Sequence, residues 1–184
     1  NIRRDIKNGD VRAIMLVEDN PRYYSLIFPV IYREIIFHTR NLLSSTLSDE
    51  ERLLYMRSRP KLLLAKSYEQ ALRYFKKYRT NLLGVITDLR FPKNGVIDKS
   101  AGLKLTNIIK KTEHSIPVLI QSYEKYLKGL KTNANEVLDK NSSLFLKDLQ
   151  KFIKSNFGFG DFKFQMPDGT KLNRISNIHE FIYM

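Results

Sequence analysis

Short apolar runs alternate along this chain with longer stretches in which apolar residues recur every three or four positions. That alternation predicts a parallel sheet covered by helices. Val11 to Val17 (VRAIMLV) is the first run and predicts a buried strand. It stops at Glu18-Asp19-Asn20-Pro21, where Asn20 suits a helix N-cap and Pro21 the first helical position. Tyr24, Ile27, Phe28, Ile31 and Ile35 then fall at helical spacing, and the helix they predict runs on past His38. Ser48-Asp49-Glu50-Glu51 reads as the start of another short helix. A second strand follows over Lys61 to Ala65 (KLLLA), after an unusually long first crossover.

Ser67-Tyr68-Glu69-Gln70 has the form of a capping box and opens a helix with Ala71, Leu72 and Phe75 on its inner face. Leu82 to Thr87 (LLGVIT) predicts a third strand, closed by Asp88. A loop rich in Pro, Gly and Lys is expected from Arg90 to Ser100, then a helix carrying Leu103, Leu105, Ile108 and Ile109. Pro117 to Gln121 reads as the fourth strand, and a short helix runs through Tyr126 and Leu130. A fifth strand, Glu136 to Asp139, and a helix with Leu146, Leu149, Phe152 and Ile153 complete five β/α units. These bound one α/β domain over residues 11–156. From 157 to 184 the texture changes to a hairpin extension or the start of a second module. Phe162 to Met166 alternates, Asp168-Gly169 is a turn signal, and Lys171 to Ile175 alternates back. Ser176 or Asn177 suits the cap of a further helix.

The balance of 42% hydrophobic and 28% charged residues is that of a folded soluble protein. The chain has no cysteine, which excludes disulfides and thiolate metal sites and fits a reducing compartment. No apolar run approaches membrane-spanning length and no signal-peptide pattern opens the chain, so the expected location is the cytoplasm, with no membrane partner. The net charge of +13 lies mostly between residues 61 and 120, where Arg73, Lys76, Lys77, Arg79, Lys104, Lys110 and Lys111 decorate two predicted helices. No helix-turn-helix, zinc finger or aromatic-basic RNA motif accompanies that charge, so solvated faces or an acidic protein partner are expected rather than nucleic acid. His38, His114 and His179 are dispersed without ligand spacing, and the tyrosines at 23, 24, 68, 74 and 78 read as core and rim.

The expected fold is a doubly wound, five-stranded parallel sheet; the flavodoxin-type strand order 2-1-3-4-5 is what the family resemblance given below implies. In such a sheet ligands bind beyond the carboxyl ends of the strands. Glu18 and Asp19 stand at the end of the first strand, Asp88 at the third, Ser122 at the fourth and Lys140 at the fifth. Clustered carboxylates repel one another unless a hard cation shares them, and Mg²⁺ is the usual solution. One carboxylate can then attack phosphorus, with the cation and a lysine neutralising the transferring oxygens.

The ordered set of motifs resembles the receiver domains of bacterial response regulators in two-component signalling. Ile14 to Pro21 resembles the acidic turn of that family, and Val85 to Pro92 (VITDLRFP) its phosphoacceptor segment. Gly102-Leu103-Lys104-Leu105 resembles the start of its third helix, Ile116 to Ser122 the strand ending in Ser or Thr, and Asp139-Lys140 the strand ending in lysine. The resemblance covers residues 11 to 155. It implies that Asp88 is the phosphoacceptor and that Glu18, Asp19, Asp88 and the backbone carbonyl of Arg90 hold Mg²⁺. It also implies that Ser122 senses the phosphoryl group and that Lys140 pairs with it. Its expected donor is a sensor histidine kinase or phosphotransfer protein, and the domain is regulatory rather than an enzyme. A homodimer or a downstream domain of the same polypeptide are further expected partners.

Three positions and one segment depart from the family pattern. Tyr123 follows Ser122 where a small residue leaves the pocket open, which makes Tyr123 a candidate gate. Asn141 replaces the proline after the lysine, Val137 stands where many members carry an aromatic switch residue, and the segment from Pro92 to Gly102 is longer than usual. Tyr123 and Asn141 favour an alternative, a pseudo-receiver that makes protein contacts without phosphorylation, which the intact acidic trio with Ser122 and Lys140 opposes. A phosphatase of the haloacid-dehalogenase type also forms an aspartyl phosphate, but it needs an aspartate where this chain has Arg90. The long first crossover, Arg90-Phe91-Pro92 after the aspartate and the Phe157 to Phe162 segment together resemble receiver regions at the front of large phosphoenolpyruvate-synthase-like proteins.

Overall fold

Five strands pair in parallel, each where the sequence predicts one: β1 (Ala13–Val17), β2 (Lys61–Ala65), β3 (Leu82–Asp88), β6 (Val118–Ser122) and β7 (Glu136–Asp139). Their spatial order is β2-β1-β3-β6-β7, the doubly wound order that the family resemblance implies. The computed structural model describes residues 11–43, 48, 59–123, 131–158, 162–165 and 171–175. The short helices expected after Ser48, through Tyr126 and Leu130, and after Ser176 or Asn177 lie outside them.

The continuous apolar character of β1 and β3 follows from burial on both faces. One face of β1 carries Ala13, Met15 and Val17. With Leu63, Val85 and Val118 these pack under helices α2 (Tyr68–Tyr78) and α3 (Ala101–Thr112), through Ala71, Phe75, Leu105 and Ile109. The other face, with Ile14, Leu16, Ile86 and Leu119, packs under α1 (Pro21–Leu43) and α4 (Phe145–Asn156). Ile27, Ile31 and Ile35 supply the inner stripe of α1, and Leu149, Phe152 and Ile153 that of α4. Each fully buried side chain of this size contributes about 1.5–3 kcal/mol. Phe157 joins the same layer, 2% exposed, its ring edge-on to Phe152 and lying against Gly84, where a Cβ would overlap it. Leu146 of α4 is 41% exposed, and its neighbour Phe145 is buried.

The caps follow the sequence with one change of detail. Asn20 Oδ1 accepts from Arg22 N at 3.0 Å, and its carbonyl takes the first helical bonds of α1. Ser67 caps α2 by accepting from Gln70 N, but Gln70 Oε1 reaches back to Lys66 N rather than to the cap residue's own amide. Lys110, expected on a solvated face, turns inward and donates to the carbonyls of His114 and Ile116, tying down the loop before β6.

The segment expected as a loop between Arg90 and Ser100 is instead a small antiparallel hairpin, β4 (Phe91–Lys93) with β5 (Val96–Asp98). Asn94 and Gly95 turn it with φ of 52° and 79°, the pair of positive values that a tight two-residue hairpin demands. Asn94-Gly95 is therefore a turn signal whose flanking strands are too short to show alternation. The C-terminal strands β8 (Phe162–Gln165) and β9 (Lys171–Ile175) pair antiparallel, as the alternation there predicts.

Candidate functional site

Hydrogen bonds that prolong the ladders deliver five side chains to one edge of the sheet. Glu18 N donates to Ala65 O at 3.0 Å, which carries the β1 edge one residue past the strand. Leu89 N donates to Gln121 O at 2.9 Å and Lys140 N to Ser122 O at 2.8 Å. Asp88 therefore stands level with Gln121, and Ser122 with Asp139. On the far side of Asp88, Gly102 N donates to Leu89 O, and the first turn of α3 lies so close that a Cβ on Gly102 would overlap the Asp88 carbonyl. The glycine that opens α3 is thus required by a close approach of backbone to backbone.

Glu18, Asp19, Asp88, Ser122 and Lys140 all converge as their strand-end positions predict. Carboxylate oxygens of the three acids lie within 4.8 Å of one another. Lys140 Nζ sits between two of them, 2.6 Å from Glu18 Oε2 and 3.2 Å from Asp88 Oδ1. Glu18 and the Lys140 side chain are almost completely buried, whereas Asp88 and Asp19 are partly open. Asp88 Oδ1 also accepts from Leu89 N at 2.8 Å.

Burial pushes the Glu18 carboxyl up to about 7; Lys140 opposes that rise and the Asp88 charge adds to it. Burial likewise raises Asp88, again opposed by Lys140. Three acids facing one ammonium leave an excess of negative charge in a partly desolvated space. A hard divalent cation with oxygen ligands fits that donor set, with the more open oxygens of Asp19 and Asp88 facing the cavity. The cavity has a volume of about 290 Å³, and Arg90, Ile97, Tyr23, Asn20 and Tyr123 complete its wall.

Three contributors are not evident from the sequence. Tyr23, on the first turn of α1, brings its ring centroid to 4.7 Å from that of Tyr123, and Lys140 Nζ lies 4.7 Å and 5.4 Å from the two centroids. Gln121, fully buried in β6, donates through Nε2 to Glu18 Oε2 at 3.2 Å, while its Oε1 has no hydrogen-bond partner. Ile97 reaches the rim from the β4–β5 hairpin. A glutamine inside an otherwise apolar strand is a readable signal of a polar neighbour; Tyr23 carried none, because tyrosines on a helix usually form its rim.

The departures at Tyr123 and Asn141 are linked. Asn141 Nδ2 donates to Tyr123 O at 3.0 Å and to Asp139 Oδ1 at 2.9 Å, a tie that proline could not make. The Lys140–Asn141 peptide is trans. Val137 lies half-buried on β7, in register with Ile120.

The chain has the doubly wound fold of response-regulator receiver domains. It is similar to a response regulator receiver domain protein from Clostridium thermocellum, with a TM-score of 0.51, 18% identity, and coverage of 80% of this chain and 95% of that one. A CheY-like receiver domain protein from Methanospirillum hungatei gives a TM-score of 0.50 at 13% identity, covering 80% and 94%. No protein-family model matches the sequence, and no curated protein matches it.

Proposed function

We propose that this chain is a phosphoacceptor module of a two-component system, taking a phosphoryl group on Asp88. The observation that carries the reading is the placement of Asp88: partly open to a cavity, 3.2 Å from a buried lysine ammonium, and within a cluster of three carboxylates. An Asp88 oxygen attacks the phosphorus of a phosphohistidine. The new O–P bond forms as the N–P bond breaks, and the departing imidazole nitrogen takes up a proton from solvent. Lys140 stabilises the charge that develops on the transferring oxygens, and Ser122 donates its hydroxyl to one of them. Asp19, Asp88 and the Arg90 carbonyl would hold Mg²⁺ with Glu18 behind them, and that ion supplies further neutralisation of the phosphoryl charge when bound.

The donor is a histidine-phosphorylated kinase or phosphotransfer protein. The output is a contact with a second copy or with a downstream domain of the same polypeptide, in which residues 157–184 begin an extension beyond the receiver at 11–156. Incubation with Mg²⁺ and acetyl phosphate, followed by intact mass, is expected to add one phosphoryl group to the native chain and none to Asp88→Asn. An unmodified native chain, under conditions that label an ordinary receiver, would replace this reading with the pseudo-receiver.

A further inference from the structure

The ammonium of Lys140 has four neighbours: two carboxylates and the faces of two tyrosines. Glu18 Oε2 and Asp88 Oδ1 lie below it at 2.6 and 3.2 Å, and the rings of Tyr23 and Tyr123 lie over it. The rings also hold each other, with centroids 4.7 Å apart and planes tilted by 45°. Burial and the neighbouring Tyr23 hydroxyl raise the Tyr123 phenol, and both rings present π-faces to the cation.

Two features make this pair responsive. Tyr123 is 39% exposed, so outward rotation of its ring leaves no cavity in the core. Its backbone is tied through the Asn141 bond, so the ring can move while the chain at that point stays fixed. A cation held by two rings and two acids is sensitive to any new anion among them, because charge-assisted bonds to anionic oxygens outcompete ring faces.

We propose that the Tyr23–Tyr123 pair reports the charge state of Asp88 through Lys140. While Asp88 is a carboxylate, the ammonium holds the rings together over the site. When phosphoryl oxygens take the ammonium, the pair separates and Tyr123 turns outward, presenting a ring and hydroxyl on the surface beside β6. This rests on the phosphoacceptor reading and adds to it the residues that convert the bound anion into a surface change.

The test is ¹⁹F NMR of the chain labelled with 3-fluorotyrosine, with Tyr23 and Tyr123 assigned by Tyr23→Phe and Tyr123→Phe, and with backbone amides followed in parallel. Mg²⁺ with beryllofluoride is the probe. Both ring resonances are expected to shift at the same probe concentrations as the amides of Leu89 and Ser122. Amide shifts with both rings unmoved would overturn the proposal and leave the phosphoacceptor reading standing. No response at rings or amides would overturn both. Lys140→Met is expected to place the two resonances near their probe-bound positions without any probe; native-like positions in that variant would show that the ammonium does not hold the pair. If Lys140→Met does not fold, the titration of the native chain decides alone.

Discussion

Glu18 is completely buried and its shortest ionic contact is with the equally buried Lys140, so the stability of this site depends on protonation. The Glu18 carboxyl is raised from 4.5 to about 7, which means that the folded chain binds more protons than the unfolded chain between those values. Stability contributed by this group is therefore greatest below its ordinary value and falls as pH rises through about 7. In the presence of a chelator, urea unfolding is expected to show a loss on the order of 3 kcal/mol between pH 5 and pH 8. Glu18→Gln is expected to flatten that dependence. Lys140→Met leaves Glu18 and Asp88 without their cation and is expected to cost about 3 kcal/mol at neutral pH, measured by the same unfolding curves. At this scale the acids, Ser122 and Lys140 were legible because strand ends in a doubly wound sheet must converge. Tyr23 was not, since its role depends on which way a helix face turns toward Lys140, and Gln121 signalled a polar neighbour without saying that it is Glu18.

Among the elements, the junction of β3 with α3 is the tightest. Gly102 packs against the Asp88 carbonyl with no side chain between them, so Gly102→Ala must push the helix and the phosphoacceptor apart. A cost of about 2 kcal/mol is expected from overpacking, read as a lower urea midpoint, together with weaker uptake from acetyl phosphate. The β4–β5 hairpin is anchored at both ends. Asn94 N donates to Glu69 Oε1 at its turn, and Asp98 binds Ser100 and Lys104 at its exit. Those bonds hold the Asp98 carboxyl at about 2. A lowered acid contributes stability above its ordinary value and loses it as pH falls, so the hairpin is expected to loosen between about pH 4 and 2. Amide exchange at Val96 to Ser100 measures it. Gly95→Val forces a β-branched residue into positive φ and is expected to raise exchange in the same amides at neutral pH. β1, β3 and β6 were readable from apolar runs, because burial on both faces leaves an unbroken signature, whereas β7 carries only Val137 and Leu138 between two acids. The hairpin was hidden because its three-residue strands are too short for periodicity and one of them contains Pro92.

For the whole molecule, the two apolar layers account for why β1 and β3 read as continuously apolar before any contact was known; the spatial order of the strands came from the family resemblance and not from the runs. No described helix is long and apolar enough to cross a membrane, and the basic residues Arg73, Lys76 and Lys77 of α2 face solvent. The layer under α1 and α4 includes Phe157, whose ring occupies the space that Gly84 leaves. A chain ending at 158 is expected to unfold cooperatively near the native midpoint, whereas one ending at 156 loses about 3 kcal/mol, the cost of a missing buried phenylalanine. Circular dichroism during urea titration separates the two. The absence of cysteine acquires a practical meaning beside the hairpin. Val96 is 71% exposed and precedes Ile97 on the rim of the cavity. Val96→Cys would supply the sole thiol of the chain, so an environment-sensitive dye attached there would turn occupancy of the acidic pocket into an optical signal.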